Sequence, residues 1–304
     1  MNVFMQQSNR RSVKGPMMLL LCAMIWGSAF AVMKSALDTL PPLPLLTVRF
    51  LGASAVLALV FHRHLKNLTR AVMRKGALAG VLEAAAYVVQ TWGLQDTTPG
   101  VNAFLTATYC VLVPFAAWAW FHDRPTGRQV FAGFLCLVGI GLLSLSDSLS
   151  MGRGEALSLL CGVLFALQVT AISRFGREGD VLMLTLAQLI TAALFCGTLT
   201  LVMGERLPAG LGASEALHLV YLAVICTALP LTLQNVGQSL TPAAPAAVIL
   251  SLESVFGVLT SVLVGMESPT PRQLVAFVLV FAAVLLGQMA GEKKADAKSL
   301  REVS

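Results

Sequence analysis

Four stretches of the chain set polar or ionisable side chains at helical spacing inside otherwise apolar runs. Glu83, Tyr87 and Gln90 stand at i, i+4 and i+7, as do Asn102, Thr106 and Tyr109. Thr227, Gln234 and Gln238 follow a similar stripe, and Cys161, Phe165 and Gln168 form a fourth. Polar groups in apolar helices are costly unless they face protein or water, so these faces mark a cavity. Amides, hydroxyls and aromatic rings suit reversible recognition of a solute. The candidate substrate-binding residues are Trp26, Tyr87, Gln90, Thr106, Tyr109, Phe165, Gln168 and Gln234. Among them the aromatics could wall a site for an apolar side chain with a cation. The competing account is helix-to-helix hydrogen bonding and plain packing.

Two carboxylates and two prolines are candidates for coupling or gating. Glu253 falls in the middle of an apolar run, where a lone carboxylate is a functional candidate by default. Glu83 lies nearer one end, within expected reach of water. Pro114 and Pro230 each free a backbone carbonyl inside a helix and can kink or hinge it. No GxxxxGK[ST], GxGxxG or HExxH pattern occurs, and His62, His64, His122 and His218 fall in loops or near the ends of apolar runs. No serine in an apolar run has a convincing histidine partner. The six cysteines lie in apolar runs without CxxC spacing. We therefore expect no catalytic residue, metal or cofactor, and an intramembrane enzyme or receptor is a remote alternative.

The elements that position these residues follow from composition. Hydrophobic residues make up 57% of the 304 and charged residues 12%, which places the chain in a membrane. Ten apolar runs are read at roughly 17 to 36, 44 to 62, 76 to 94, 99 to 121, 128 to 146, 155 to 174, 181 to 203, 213 to 236, 242 to 264 and 272 to 290. With the N-terminus inside, sixteen of the 21 Lys and Arg residues fall on the cytoplasmic side. Four, Lys34, Arg153, Arg206 and Arg272, fall outside. Arg49, near the outer end of the second run, is expected to snorkel to the interface. Both termini are thus predicted cytoplasmic. The net charge of +6 reflects orientation and gives no reason to invoke nucleic acid. The partners expected are the lipid bilayer and a small-molecule solute. The sequence sets no oligomeric state and is compatible with a monomer.

A repeat organises the ten runs. Pro125-Thr126-Gly127-Arg128-Gln129, preceded by Asp123, recurs 144 residues on as Pro269-Thr270-Pro271-Arg272-Gln273, preceded by Glu267. Both copies match the capping box that opens a helix, with Asp123 and Glu267 beside the positive end of the dipole. Gly15 to Ala36 also aligns with Gly154 to Phe175, matching Trp26 to Phe165, and Gln90 and Gln234 are mates at 144. Five runs per half is odd, so the second half must be inverted. We expect an all-α integral membrane protein of ten transmembrane helices in two inverted five-helix repeats. The boundaries are a cytoplasmic tail over 1–15, repeats over 16–147 and 152–290, and a disordered cytoplasmic tail over 291–304. Inverted repeats are a hallmark of secondary transporters, which bind substrate where the halves meet.

The chain resembles the drug/metabolite transporter superfamily in its ten-helix, EamA-type branch. Carrying the resemblance are Trp26-Gly27-Ser28-Ala29-Phe30, Gly93-Leu94, Thr97-Thr98-Pro99 leading into Ala103, Pro114, and Glu253-Ser254-Val255-Phe256. The two repeated junctions resemble the family's acid-bearing stretch after the fourth and ninth spans. Ser254 stands where the family often has proline, and Met266 separates Gly265 from Glu267. Met17 to Ala36 lacks the first-span glutamate of the four-helix multidrug relatives. Within the branch the chain is most similar to bacterial exporters of amino acids, including aromatic ones. The resemblance implies a secondary transporter or facilitator of the bacterial inner membrane that exports amino acids and similar amphipathic metabolites by alternating access. Proton-coupled multidrug or metabolite efflux is the alternative.

Overall fold

A computed structural model describes residues 13–122, 124–144, 151–241, 243–272, 274–283 and 285–286. Most of both terminal tails, with Asp123 and Gln273 of the repeated stretch, lie outside the described residues. Seven helices are long and apolar enough to cross a membrane: α1 (Lys14–Leu37), α2 (Pro42–Val60), α3 (Arg70–Gln95), α4 (Pro99–Phe121), α6 (Arg153–Phe175), α7 (Val181–Met203) and α8 (Ala213–Leu240). Three further apolar helices, α5 (Gly127–Ser144), α9 (Ala243–Leu263) and α10 (Leu274–Ala283), occupy the remaining places in chain order.

Local chemistry sets the helix starts. Pro42 and Pro99 open α2 and α4 where a missing N–H costs nothing, and the Thr69 and Thr98 hydroxyls accept from the backbone N–H of Val72 and Val101. The capping box at Thr126 is formed on both arms. Its N–H donates to Gln129 Oε1 at 2.7 Å, and the Gln129 N–H donates to Thr126 Oγ1 at 3.4 Å.

Two helices are irregular, each with a polar cause. In α4 the interruption falls at Ala107 and Thr108, where the Thr108 hydroxyl donates to the Leu105 carbonyl at 2.6 Å. Pro114 sits inside the helix that follows, about two turns past this interruption. In α8 a π-turn spans Val224–Ala228, directly ahead of Pro230.

Eight helices close into a ring in the order α1, α8, α2, α7, α3, α6, α4, α9 and back to α1, each packed chiefly on its two neighbours. Members of the first and second halves alternate all the way round. α5 and α10 lie outside the ring, α5 against α4, while Phe277 of α10 stacks on Phe104 of α4 at 4.0 Å. Glycines permit the closest crossings. A Cβ on Gly27 of α1 would lie 2.8 Å from the Glu253 carbonyl and 2.9 Å from the Gly257 nitrogen, both backbone atoms of α9.

Bonds between halves tie both ends of the ring. At one end Arg153 of the second half pairs with Asp96 of the first at 3.3 Å, while Lys34 Nζ ties α1 to the end of α3 within the first half, donating to the Leu94, Gln95 and Thr97 carbonyls at 2.7, 2.9 and 3.0 Å. There, too, the Leu43 N–H donates to Glu205 at 3.0 Å. These contacts put the last turn of α1 beside the first turn of α6, so the two helices run antiparallel. At the opposite end Lys75 pairs with Glu178 at 2.6 Å, and Asp180 accepts from Asn67 at 2.8 Å with His64 Nδ1 at 3.2 Å.

Asp180 also caps α7, accepting from the Leu182 and Met183 N–H groups. Burial pushes its carboxyl up, but the bonds from Asn67, His64 and those two backbone groups outweigh burial and hold it below the usual carboxylate range. A carboxyl depressed in the folded state stabilises above its unfolded value near pH ~4 and loses that contribution as pH falls through the folded value. Asp180→Ala should therefore lower stability by about 1 kcal/mol at pH ~7. The deficit should shrink toward pH ~3, checked by thermal melting in detergent; a deficit unchanged at the lower pH would contradict the assignment.

Candidate functional site

The helix ring encloses a cavity lined by Trp26, Ala29, Phe30 and Met33 of α1, Arg49 of α2, Tyr87, Gln90, Thr91 and Leu94 of α3, Tyr109 of α4, Phe165 and Val169 of α6, Gln234 of α8 and Glu253 of α9. The cavity volume is about 40 Å³. That is room for water and too little for an amino acid until the walls move.

Of the eight candidate binding residues, six share this wall: Trp26, Tyr87, Gln90, Tyr109, Phe165 and Gln234. Two do not. Thr106 turns to neighbouring helices, accepting from Gln90 Nε2 at 3.3 Å and donating to Cys161 Sγ at 3.8 Å. Gln168 is fully buried outside the cavity lining, with neither amide atom bonded among the described residues. Several cavity atoms are buried without a hydrogen-bond partner among the described residues: Trp26 Nε1, Tyr109 Oη and Gln234 Oε1. Tyr109 approaches the Glu253 carboxyl without closing a bond of normal geometry.

The carboxylates divide. Glu253 faces the cavity, whereas Glu83, expected within reach of water, is fully buried away from it. Glu83 Oε2 accepts from Gln188 Nε2 at 3.2 Å, and Gln188 Oε1 accepts in turn from Asn235 Nδ2 at 2.8 Å. Asn235 also donates to Thr185 at 2.9 Å, so the network locks α3 to α7 and α8. Pro114 and Pro230 are not among the residues that line the cavity.

Arg49 was placed by sequence at the membrane surface and is instead 4% exposed inside the ring. Its Nε donates to Thr227 Oγ1, its Nη2 to the Cys226 carbonyl at 2.9 Å, and its guanidinium lies 4.7 Å from the Tyr87 ring centroid. Snorkelling fails because these partners hold the head inward. Sequence carried a trace of them, since a proline cannot bond the carbonyl four residues back and Pro230 therefore frees Cys226.

Comparison with known proteins adds the decisive observation: the model of the EamA-like transporter family matches this chain twice, over residues 13–145 and again over 152–287. The chain belongs to the EamA-like transporter family. An uncharacterized transporter of Archaeoglobus fulgidus is 34% identical over 268 residues, covering 88% of this chain and 83% of the relative. A second uncharacterized transporter of that organism is 27% identical over 233 residues, 70% of this chain and 76% of the relative. A solved crystal structure superposes with a TM-score of 0.69 over 91% of this chain and 98% of the other at 17% identity, a likeness of fold alone.

The double match gives the cavity wall of this EamA-family chain a pattern. An offset of 139 residues carries Trp26 onto Phe165 and Phe30 onto Val169; an offset of 144 carries Gln90 onto Gln234 and Tyr109 onto Glu253. All eight line the cavity. The same offsets carry Arg49 onto Gln188 and Glu83 onto Thr227. The bond from Arg49 to Thr227 and the bond from Gln188 to Glu83 are thus counterparts, one joining α2 to α8 and the other α7 to α3.

Proposed function

We propose that this EamA-family chain is a secondary transporter or facilitator that exports amino acids, aromatic ones among them, and similar small amphipathic metabolites. In this reading all ten helices span the bacterial inner membrane as two inverted five-helix repeats, over 16–147 and 152–290, with both termini cytoplasmic. The two halves rock about the cavity and open it to each side in turn. The observation that carries the reading is the cavity wall built from pairs of equivalent positions, one from each half. Cross-half bonds, Arg153 to Asp96 at one end and Lys75 to Glu178 at the other, tie both ends of the ring, which fits an occluded state between the two openings. Trp26, Tyr87, Gln90, Tyr109, Phe165 and Gln234 serve as the substrate wall, with Thr106 and Gln168 supporting the helices behind it.

Purified protein in liposomes tests this. Labelled phenylalanine, leucine or a related metabolite should exchange across the bilayer faster than in empty liposomes; a panel of amino acids, amines and nucleoside-like solutes that all stay put would end the transport reading. The second reading, proton-coupled efflux, is favoured by Glu253 facing the cavity. Glu253→Gln separates the two: coupling through this carboxyl requires that flux lose its dependence on a pH gradient, and a facilitator requires that it be unaffected. Pro114 and Pro230 are carried forward as gating candidates, and Glu83 as a latch between α3 and α7.

A further inference from the structure

The cavity wall carries a cation, Arg49, that interacts through space with the buried Glu83 carboxyl but forms no ion pair with it. Among the described residues, no carboxylate lies within ion-pair distance of Arg49. A guanidinium in a membrane interior without a counter-ion is costly, and it persists where something else supplies the negative charge. Hydrogen bonds to Thr227 and the Cys226 carbonyl hold one edge of the group, and Tyr87 covers a face. A guanidinium has five N–H donors, and the remaining hydrogen bond of the group among the described residues is a long one from Nη1 to Met33 Sδ at 3.9 Å. Donors are thus left for a planar anion, and Arg49 lies in the cavity wall.

The mounting is built by the chain. Pro230 cannot donate to the Cys226 carbonyl, the π-turn over Val224–Ala228 accommodates the missing bond, and the freed oxygen accepts from Arg49 across the ring. The Thr227 hydroxyl adds the second anchor while donating to the Leu222 carbonyl at 2.7 Å. With a residue other than proline at 230, an N–H would be available to bond the Cys226 carbonyl within α8 and the guanidinium would lose that anchor.

We infer that Arg49, mounted on the α8 π-turn, binds the carboxylate of the transported molecule, so that the cavity selects carboxylic acids over the corresponding amines. Glu253 on the same wall offers the complementary charge for an ammonium group, which makes a zwitterionic α-amino acid the substrate class that satisfies both. This rests on the transport reading above. Pro230 is a positioning residue acting through Arg49.

Uptake of labelled L-phenylalanine into proteoliposomes, with phenethylamine and phenylalaninamide as competitors, tests the inference. Wild-type protein should move the acid and be insensitive to both amines at roughly 100-fold excess. Arg49→Met should lower uptake of the acid by roughly 30-fold or more, while its melting temperature stays level or rises because a buried charge has been removed. Pro230→Ala should raise KM for the acid by several-fold and change kcat less, because it loosens the anchor and leaves the charge. Amines that are transported as well as the acid, or a KM in Arg49→Met within twofold of wild type, would overturn the carboxylate site and leave the transport reading intact. If acid and amines alike fail to move in wild-type liposomes, the transport reading itself is overturned.

Discussion

Gly27→Val is expected to leave little folded protein in the membrane. The valine Cβ would meet the Phe256 Cβ and two backbone atoms of α9, at 2.8 and 2.9 Å, and backbone cannot rotate aside as a side-chain tip can. Relief requires α1 to move off α9, which drags Trp26 and Phe30 out of the cavity wall and unpacks a ring contact. Overpacking of this kind costs about 3 kcal/mol or more, a large share of the ~5–15 kcal/mol that holds an ordinary domain together. Fluorescence-detected gel filtration of the solubilised protein reads the outcome. Gly127→Ala, whose added methyl meets nothing, is the matched control and should behave as wild type. A Gly27→Val protein melting within ~2 °C of wild type would show that the α1 to α9 crossing is looser than described.

Gln90→Leu and Gln234→Leu should each lower transport about tenfold, and the double variant about 100-fold. The two amides are equivalent positions on opposite halves and both face the cavity. Gln234 Oε1 has no partner among the described residues and Gln90 donates one long bond to Thr106, so both retain capacity for a bound solute. Leucine fills similar volume and removes that capacity, and an apolar side chain in this setting does not threaten folding. Initial rates in proteoliposomes at several concentrations of phenylalanine separate KM from kcat. If the two single variants differ from each other by more than tenfold, the halves do not contribute equivalently; if neither changes uptake by twofold, these amides do not touch the solute.

The sequence carried the helices well because each is written locally. Thr126 and Gln129 announced a helix start by type and spacing, and they cap each other as the pattern requires. Helical spacing also brought Tyr87, Gln90 and Tyr109 to one cavity, because residues four apart on one helix share a face whatever the neighbours are. Spacing does not say which neighbour a face meets. Thr106 and Gln168 have the same periodicity, yet Thr106 bonds to neighbouring helices and Gln168 is buried outside the cavity lining. Arg49 was misplaced for a related reason. Its position near the end of an apolar run reads as interfacial, and the groups that hold it inward lie 177 and 178 residues away on α8. The order of the ring was likewise invisible, since each neighbouring pair joins helices from different halves.

That alternating order has a consequence for how the chain is made. A ribosome delivers helices one at a time, and α1 through α4 enter the bilayer before any of their ring neighbours has been translated. At roughly 5–20 residues per second, α1 waits on the order of ten seconds for α9 to emerge. Through that interval the glycine faces and polar stripes of the first half lie against lipid or against whatever holds newly inserted helices. Closure of the ring is therefore a late step in biogenesis, reached only once α9 slides between α1 and α4.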